Sequence, residues 1–374
     1  MEHPGVIVIG GGLAGLTAAI HLSKKGVPVQ VFEKEVYPKH KVCGEYISRE
    51  ILPYLESLEI DLLELNPPFI NELFYSTRKG NSIKANLLLG GLGISRYNLD
   101  NFLWEKAKES GAEVVCDAVV QVKLGNDNKF EIATASGKKY KSPIVLGAFG
   151  KRSILDKKLE RNFIKEKSSW LAVKSHYHHP GFPEHQVALH NFKGGYCGLS
   201  KTETGAVNVC YLVSYSSFKK YKDPKLFKEK VLMQNKHLRK FFNEAEELFE
   251  KELSIAQISF SQKKAVEEHI LMMGDSAGLI HPLCGNGMAM AVHSAKIASE
   301  VILAQEKNRF SRKNMEEEYE IGWKKTFRRR LQTGRMLQNI LLNPSLAEVS
   351  QSLVKTIPSL LPKIISQTHG RPVI

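Results

Sequence analysis

The sequence predicts an α/β protein with three parts. A parallel sheet is built on an N-terminal βαβ unit, a β-rich domain is inserted between its strands, and a helical cap follows at the C-terminal end. Three observations predict this layout. Residues 6–33 read as strand, glycine turn, helix and strand; a second strand ending in glycine returns near residue 270; and residues 160–262 alternate in short strands between them.

Val6-Ile7-Val8-Ile9 is a continuous apolar run, as expected of a strand buried on both faces. Gly10-x-Gly12-x-x-Gly15 follows, with Leu13 and Ala14 opening a helix. Gly10 permits the tight turn, Gly12 lets backbone approach a pyrophosphate, and Gly15 lets helix and strand pack closely. The strand Val29–Phe32 then ends in Glu33, about 20 residues on, where a carboxylate can hold ribose hydroxyls. Strand, turn, helix, second strand and terminal acid together make a dinucleotide site.

The loop Lys34–Glu45, with Cys43-Gly44 near its end, leaves the carboxyl end of that strand, where open α/β sheets place their ligands. Ser48 can cap a helix whose Ile51, Leu52, Leu55 and Leu58 share a face. Residues 69–89 read as a strand pair around Lys79-Gly80-Asn81, and Arg96-Tyr97-Asn98-Leu99-Asp100 opens a helix through Ala107. Strands follow at 114–115, 119–122 and 130–133, and Ile144–Gly150 is a buried strand running into a glycine turn. Val207–Val213 is the clearest strand of the insert, and a charged helical stretch spans Lys219–Lys251. His269–Asp275 is a strand ending in Gly274-Asp275, and Pro282–Met288 leads into a small-residue helix, Ala289–Ser299. The resulting division is 1–68, 91–158 and 263–305 for the dinucleotide domain, 69–90 and 159–262 for the substrate domain, and 306–374 for the helical region.

At 374 residues and 43% hydrophobic, the chain can bury a core in each of two domains. Lys and Arg outnumber Asp and Glu by 53 to 39, a formal +14 that speaks to acidic partners, anionic surfaces or anionic substrates. The basic residues are dispersed and carry no nucleic-acid-binding motif, so nucleic acid is not expected. Neither a secretory leader nor an uninterrupted apolar span of membrane length is recognisable, which predicts a cytoplasmic protein. Cys43, Cys116, Cys197, Cys210 and Cys284 lack metal-ligand spacing and read as free thiols. His176, His178 and His179 have no acid or cysteine at ligand spacing, so no metal is expected.

Taken together, these pieces resemble the FAD-dependent oxidoreductases of the para-hydroxybenzoate hydroxylase and geranylgeranyl reductase superfamily. The resemblance implies a Rossmann-like FAD-binding domain with an inserted β-rich substrate domain. Gly10, Gly12, Leu13, Ala14, Gly15, Glu33 and Lys34 match its FAD-binding unit. Arg96, Leu99 and Asp100 match an R-x-x-L-D segment whose arginine lies beside the flavin. Gly274-Asp275 matches the second fingerprint, which binds the ribityl chain, and Gly285, Asn286, Gly287 and Met288 match the turn aimed at the flavin ring. Val120 joins the cofactor set, Cys43 is the candidate catalytic residue, and Tyr196, Pro282 and Cys284 are assigned to the substrate pocket.

Departures from the family pattern also carry information. Phe149-Gly150 stands where family hydroxylases carry Asp-Gly, which argues against direct use of NADPH. Tyr196-Cys197-Gly198-Leu199-Ser200 replaces the reductases' Tyr-x-Trp-x-Phe-Pro, and the Trp-x-Trp-x-Ile-Pro segment of halogenases is absent. The first expectation is a monooxygenase that hydroxylates a lipophilic aromatic or quinone-like molecule in a dry pocket. The second is an ene-reductase for isoprenoid or enone double bonds with Cys43 as proton donor. A flavin electron carrier comes third. NAD(P)H, free reduced flavin or an acidic electron-transfer protein is the expected reductant. Basic residues at 307–336, interleaved with Phe310, Trp323 and Phe327, precede an apolar stretch at 337–365. This tail is read either as a cap or as a surface resting on the anionic inner face of a membrane.

Overall fold

A computed structural model describes residues 5–166, 168–281, 285–309, 311–357, 360–368 and 370–374. The first sheet runs in the order β17 (Val266–Glu267), β18 (Ile270–Met272), β10 (Ile144–Gly147), β1 (Val6–Ile9), β2 (Val29–Glu33) and β6 (Glu113–Cys116). Its ladders are parallel except β17–β18. Every residue of β1, β2 and β10 is buried, which is why they read as apolar runs. Helices α1 (Leu13–Lys24), α3 (Arg96–Glu109) and α8 (Gly287–Asn308) pack around this sheet. A small antiparallel sheet of β7 (Val119–Leu124), β8 (Phe130–Thr134) and β9 (Lys139–Ser142) lies between β6 and β10 in the chain.

The larger mixed sheet gathers distant parts of the chain. Its order is β15 (Glu246–Glu247), β11 (Trp170–His178), β14 (Val207–Ser214), β13 (Gly195–Lys201), β12 (Gln186–Phe192), β4 (Phe69–Ser76), β5 (Ser82–Gly93) and β3 (Tyr46–Ser48). β16 (Leu253–Ala256) pairs with the free side of β11. One face is covered by α6 (Pro224–Lys230) and α7 (Lys236–Glu244), through Val173, Ala188, Cys197, Tyr211, Phe227 and Phe241. The alternate residues face the first domain. β3 follows directly on the switch-point loop, so residues 34–45 connect the two sheets.

The charged stretch expected to be helical over 219–251 is broken. Asp223 caps α6 ahead of Pro224, Asn235 caps α7, and β15 follows, so each cap restarts the chain in a new direction. The small-residue helix expected to end at Ser299 runs to Asn308. Its buried face continues through Ile302.

Three further helices form a roof: α9 (Arg312–Leu342), α10 (Pro344–Thr356) and α11 (Leu360–Thr368). α9 buries Met315, Tyr319, Trp323 and Phe327, one apolar stripe worth about 1.5–3 kcal/mol per large side chain. Glu50 anchors the roof to the first domain. Its carboxylate accepts from Arg330 (2.8 Å), from Asn286 Nδ2 (3.1 Å) and from the Gly370 amide, while its carbonyl accepts the Val373 N–H (2.7 Å). Among the described residues, no helix is long and apolar enough to cross a membrane.

Candidate flavin and substrate site

The first glycine turn is shaped by close approaches. Gly10 has φ +108°, and an added Cβ there would lie 2.3 Å from the Ala148 carbonyl oxygen. At Gly15 the added carbon would come within 1.9 Å of the Gly10 oxygen, so this residue serves the packing of α1 on β1. Gly12 is different: nothing but the ends of Arg96 and Lys41 lies within 4 Å of a Cβ built on it. Gly12 is also the N-cap of α1 and supplies no side-chain oxygen, so the first N–H groups of the helix open toward the adjoining cavity.

Glu33, at the end of β2, accepts the Gly11 N–H (2.9 Å) and pairs with Lys39 (2.7 Å). Burial pushes its carboxyl up, but the charges of Lys41 and Lys39 outweigh this and hold it below the ordinary carboxylate range. It therefore stays an anionic hydrogen-bond acceptor, as a ribose site requires. Lys34, beside it, is exposed at the cavity rim.

Arg96 starts α3 behind the Ser95 cap. Its guanidinium grips Asp100 through both oxygens (2.7 and 2.8 Å), and Lys41 reaches the same carboxylate at 2.8 Å. Asp100 is fully buried; desolvation raises its carboxyl, and the Arg96 and Lys41 charges bring it below the usual range. Arg96 is thereby held in one orientation at the cavity wall, with its guanidinium also interacting with the Cys43 sulfur.

Glu45 ends the switch-point loop just before β3 and is completely buried at φ +54°. One carboxylate oxygen accepts from Lys174 and from the Arg96 amide (2.7 Å), and the other meets His176 Nε2 at 2.7 Å. β11 supplies Lys174 and His176 on the face it turns toward the flavin domain. His176 thus has an acid partner, 131 positions away in the chain, that its own segment did not reveal. Ligand atoms of His40, Glu45 and His176 lie within 4.8 Å of one another. The Lys174 ammonium on the same carboxylate opposes a second cation there by like charge. His40 is lowered to about 4 by burial and by the charges of Lys174 and His176.

The second fingerprint packs against the first. Gly274 has φ +55° and donates its N–H to Ser294 Oγ (2.9 Å). The Asp275 carbonyl accepts from Lys263 (2.7 Å), whose ammonium burial lowers to about 8. Ser276 Oγ accepts the Gly150 N–H at 2.8 Å, joining this fingerprint to the Phe149-Gly150 turn. Asn286 caps α8 by position, but its side chain is spent on Glu50 and on the Thr368 carbonyl (3.0 Å) and its carbonyl on the Met290 N–H (3.0 Å).

A single cavity of about 1180 Å³ joins these parts. At one end it is lined by Gly10, Gly12, Leu13, Ala14, Glu33, Arg96, Gly274, Asp275, Gly285, Gly287 and Met288, and by Cys43. At the other end the wall is apolar: Leu73, Tyr75, Val187, Leu189 and Leu212 from the large sheet, roofed by Leu337, Ile340, Val354 and Ile364. Tyr196 faces this end, with its hydroxyl 3.4 Å from His281 Nδ1. Gly15 and Asn286 lie behind the wall, and Val120 is represented by its neighbours Ala118 and Val119. Pro282 and Cys284 lie outside the described residues. Lys41, Glu45, Lys174 and Ser276 were missed at the sequence level. Only Lys41 and Glu45 carried a signal, being charged residues on the switch-point loop.

A two-fingerprint dinucleotide cradle opening into an apolar chamber defines a flavoprotein oxidoreductase. Residues 4–312 match the FAD binding domain family, and the chain belongs to it, within the para-hydroxybenzoate hydroxylase and geranylgeranyl reductase superfamily. A 1H-pyrrole-2-carbonyl-[peptidyl-carrier protein] chlorinase of Pseudomonas fluorescens is 24% identical over 359 residues, covering 82% of this chain and 77% of that protein. Digeranylgeranylglycerophospholipid reductase 2 of Methanothermobacter thermautotrophicus is 24% identical over 363 residues, covering 90% and 87%. Among solved structures, a flavin-dependent brominase superposes with TM-score 0.81 at 18% identity, covering 98% of this chain and 93% of that one, a likeness of fold. The cofactor is FAD.

Proposed function

We propose that this FAD-dependent oxidoreductase is a monooxygenase that hydroxylates a lipophilic aromatic or quinone-like small molecule. The observation that carries the reading is the division of the cavity, with charge gathered at the cofactor end and an apolar wall at the other. FAD supplies the two-electron chemistry. The chain's own residues do the rest. Gly10–Ala14 and Glu33 hold the dinucleotide, Arg96 and Lys41 on the single Asp100 carboxylate leave one net positive charge fixed at the cofactor end, and the sheet and roof exclude water from the reacting face.

Chlorination and bromination belong to relatives and neighbours. Here the Trp-x-Trp-x-Ile-Pro segment of halogenases is absent from the sequence, and Cys197 is buried in the core behind β13. A second reading, ene reduction, is favoured by Cys43, whose thiol lies at the cavity wall where it could give a proton to a substrate carbon.

Product analysis separates the two readings. The reduced holoprotein is offered a hydrophobic quinol or phenol and, separately, an isoprenoid alcohol under isotopically labelled oxygen. Products carrying one labelled oxygen atom are expected. A product that gains two hydrogens and no label would replace the first reading with the second.

A further inference from the structure

The roof carries a surface that the flavin chemistry does not use. α10 is apolar on two sides. Toward the interior, Val354 and Gln351 line the cavity and Ala347 is buried. Toward solvent, Leu346, Val349 and Leu353 are 49%, 65% and 51% exposed, at the i, i+3 and i+4 spacing that makes one stripe along a helix, and Ile357 (44%) extends it at the C-cap. Contiguous exposed aliphatics of this kind mark an interaction surface, because single scattered ones would need no partner.

Charge decides what that partner is. Between Ile321 and Thr368 the sequence holds one acid, Glu348, and it is engaged with Asn81 at 3.0 Å. Lys325, Arg328, Arg335, Lys355 and Lys363 are all exposed on the same three roof helices. The aromatic residues that made the basic segment look surface-active are elsewhere: Trp323 and Phe327 are buried under α9. The apolar contribution therefore comes from α10.

We propose that α10 docks on the surface of an anionic lipid bilayer. Its outer stripe inserts at the headgroup boundary, and the neighbouring basic residues face the lipid charge. An acidic protein would satisfy the basic residues but would leave the aliphatic stripe without a matching surface. A bilayer satisfies both. The inner side of the same helix is cavity wall, so the apolar chamber lies one helix away from the lipid. Passage of substrate across that wall rests on the lipophilic-substrate reading above, whereas the docking itself does not.

The test uses the oxidised holoprotein without substrate, so a failure of docking is distinct from a failure of the proposed reaction. Co-sedimentation is measured with phosphatidylcholine vesicles, with and without phosphatidylglycerol, at low and high salt. The comparison is the double variant Val349→Asp and Leu353→Asp, whose positions are solvent-facing, with flavin absorbance and thermal melting as checks on folding. The wild type should pellet with anionic vesicles at low salt, and the double variant should bind on the order of tenfold or more weakly. Three results would overturn the proposal. The wild type could stay in the supernatant with anionic vesicles at low salt. The variant could pellet as well as the wild type. Finally, the wild type could be a dimer that the variant converts to a monomer, which would mean that a second copy covers the stripe.

Discussion

Replacing Glu45 with Gln tests whether this buried carboxylate holds the two domains in register. Gln keeps the shape but removes the charge that neutralises Lys174, and both groups are fully buried. It also loses an acceptor, since three donors converge on the carboxylate and an amide offers a single oxygen. Removing one partner of a buried ion pair costs about 3–5 kcal/mol, a large part of the roughly 5–15 kcal/mol that stabilises a typical domain. Glu45 also holds a left-handed backbone, φ 54°, which costs about 1 kcal/mol and persists because these bonds repay it.

The pH dependence has a definite sign. Burial raises the Glu45 carboxyl, but the His176 hydrogen bond and the Lys174 charge outweigh burial and lower it. A folded-state value below the unfolded value of about 4.3 means that its contribution is complete above that pH. It is lost as pH falls through the lower, folded value. Denaturant titration of holoprotein across the acidic range should show wild-type stability falling toward the variant's as Glu45 is protonated. A variant within about 1 kcal/mol of wild type at neutral pH, or one with the same acid dependence, would refute the reasoning.

Three further outcomes are expected. Glu33→Ala should weaken FAD binding by roughly 1–3 kcal/mol through loss of charge-assisted ribose hydrogen bonds, read by flavin retention on dilution. Cys43→Ser should change turnover while flavin content stays near that of wild type; unchanged turnover with full loading would return Cys43 to simple packing. Flavin reduction, followed by absorbance, should be slow with NADPH and faster with an acidic electron carrier, the gain shrinking as salt rises; rapid, saturable reduction by NADPH alone would reverse the assignment drawn from Phe149.

What the sequence made legible was the geometry that only certain residues tolerate. At Gly10 and Gly15 a side chain would collide with backbone, so the cradle is written locally and can be read locally. Arg96 and Asp100 were legible only through the R-x-x-L-D resemblance; that they pair with each other across one helical turn was not read from the sequence. Contacts across the inserted domain were not legible either. Glu45 finds Lys174 and His176 from β11, and Glu50 finds Arg330, 280 positions later. No periodicity within either segment records such a meeting. The orientation of the basic tail was hidden for a related reason. Spacing alone cannot say which side of a helix a core will cover, and Trp323 and Phe327 were drawn inward by α8 and the first sheet.

The Glu50 knot ties three distant segments of the chain to one residue. Its oxygens receive Asn286 from the start of α8, Arg330 from α9 and the amides of Gly370 and Val373 from the end of the chain. A Cβ added at Gly370 would lie 1.9 Å from the Arg330 guanidinium, so the chain passes close over this ion pair. The helices on either side of this knot carry Leu337, Ile340, Val354 and Ile364, so the bonds that fasten residues 370–373 also keep the apolar roof seated over the chamber.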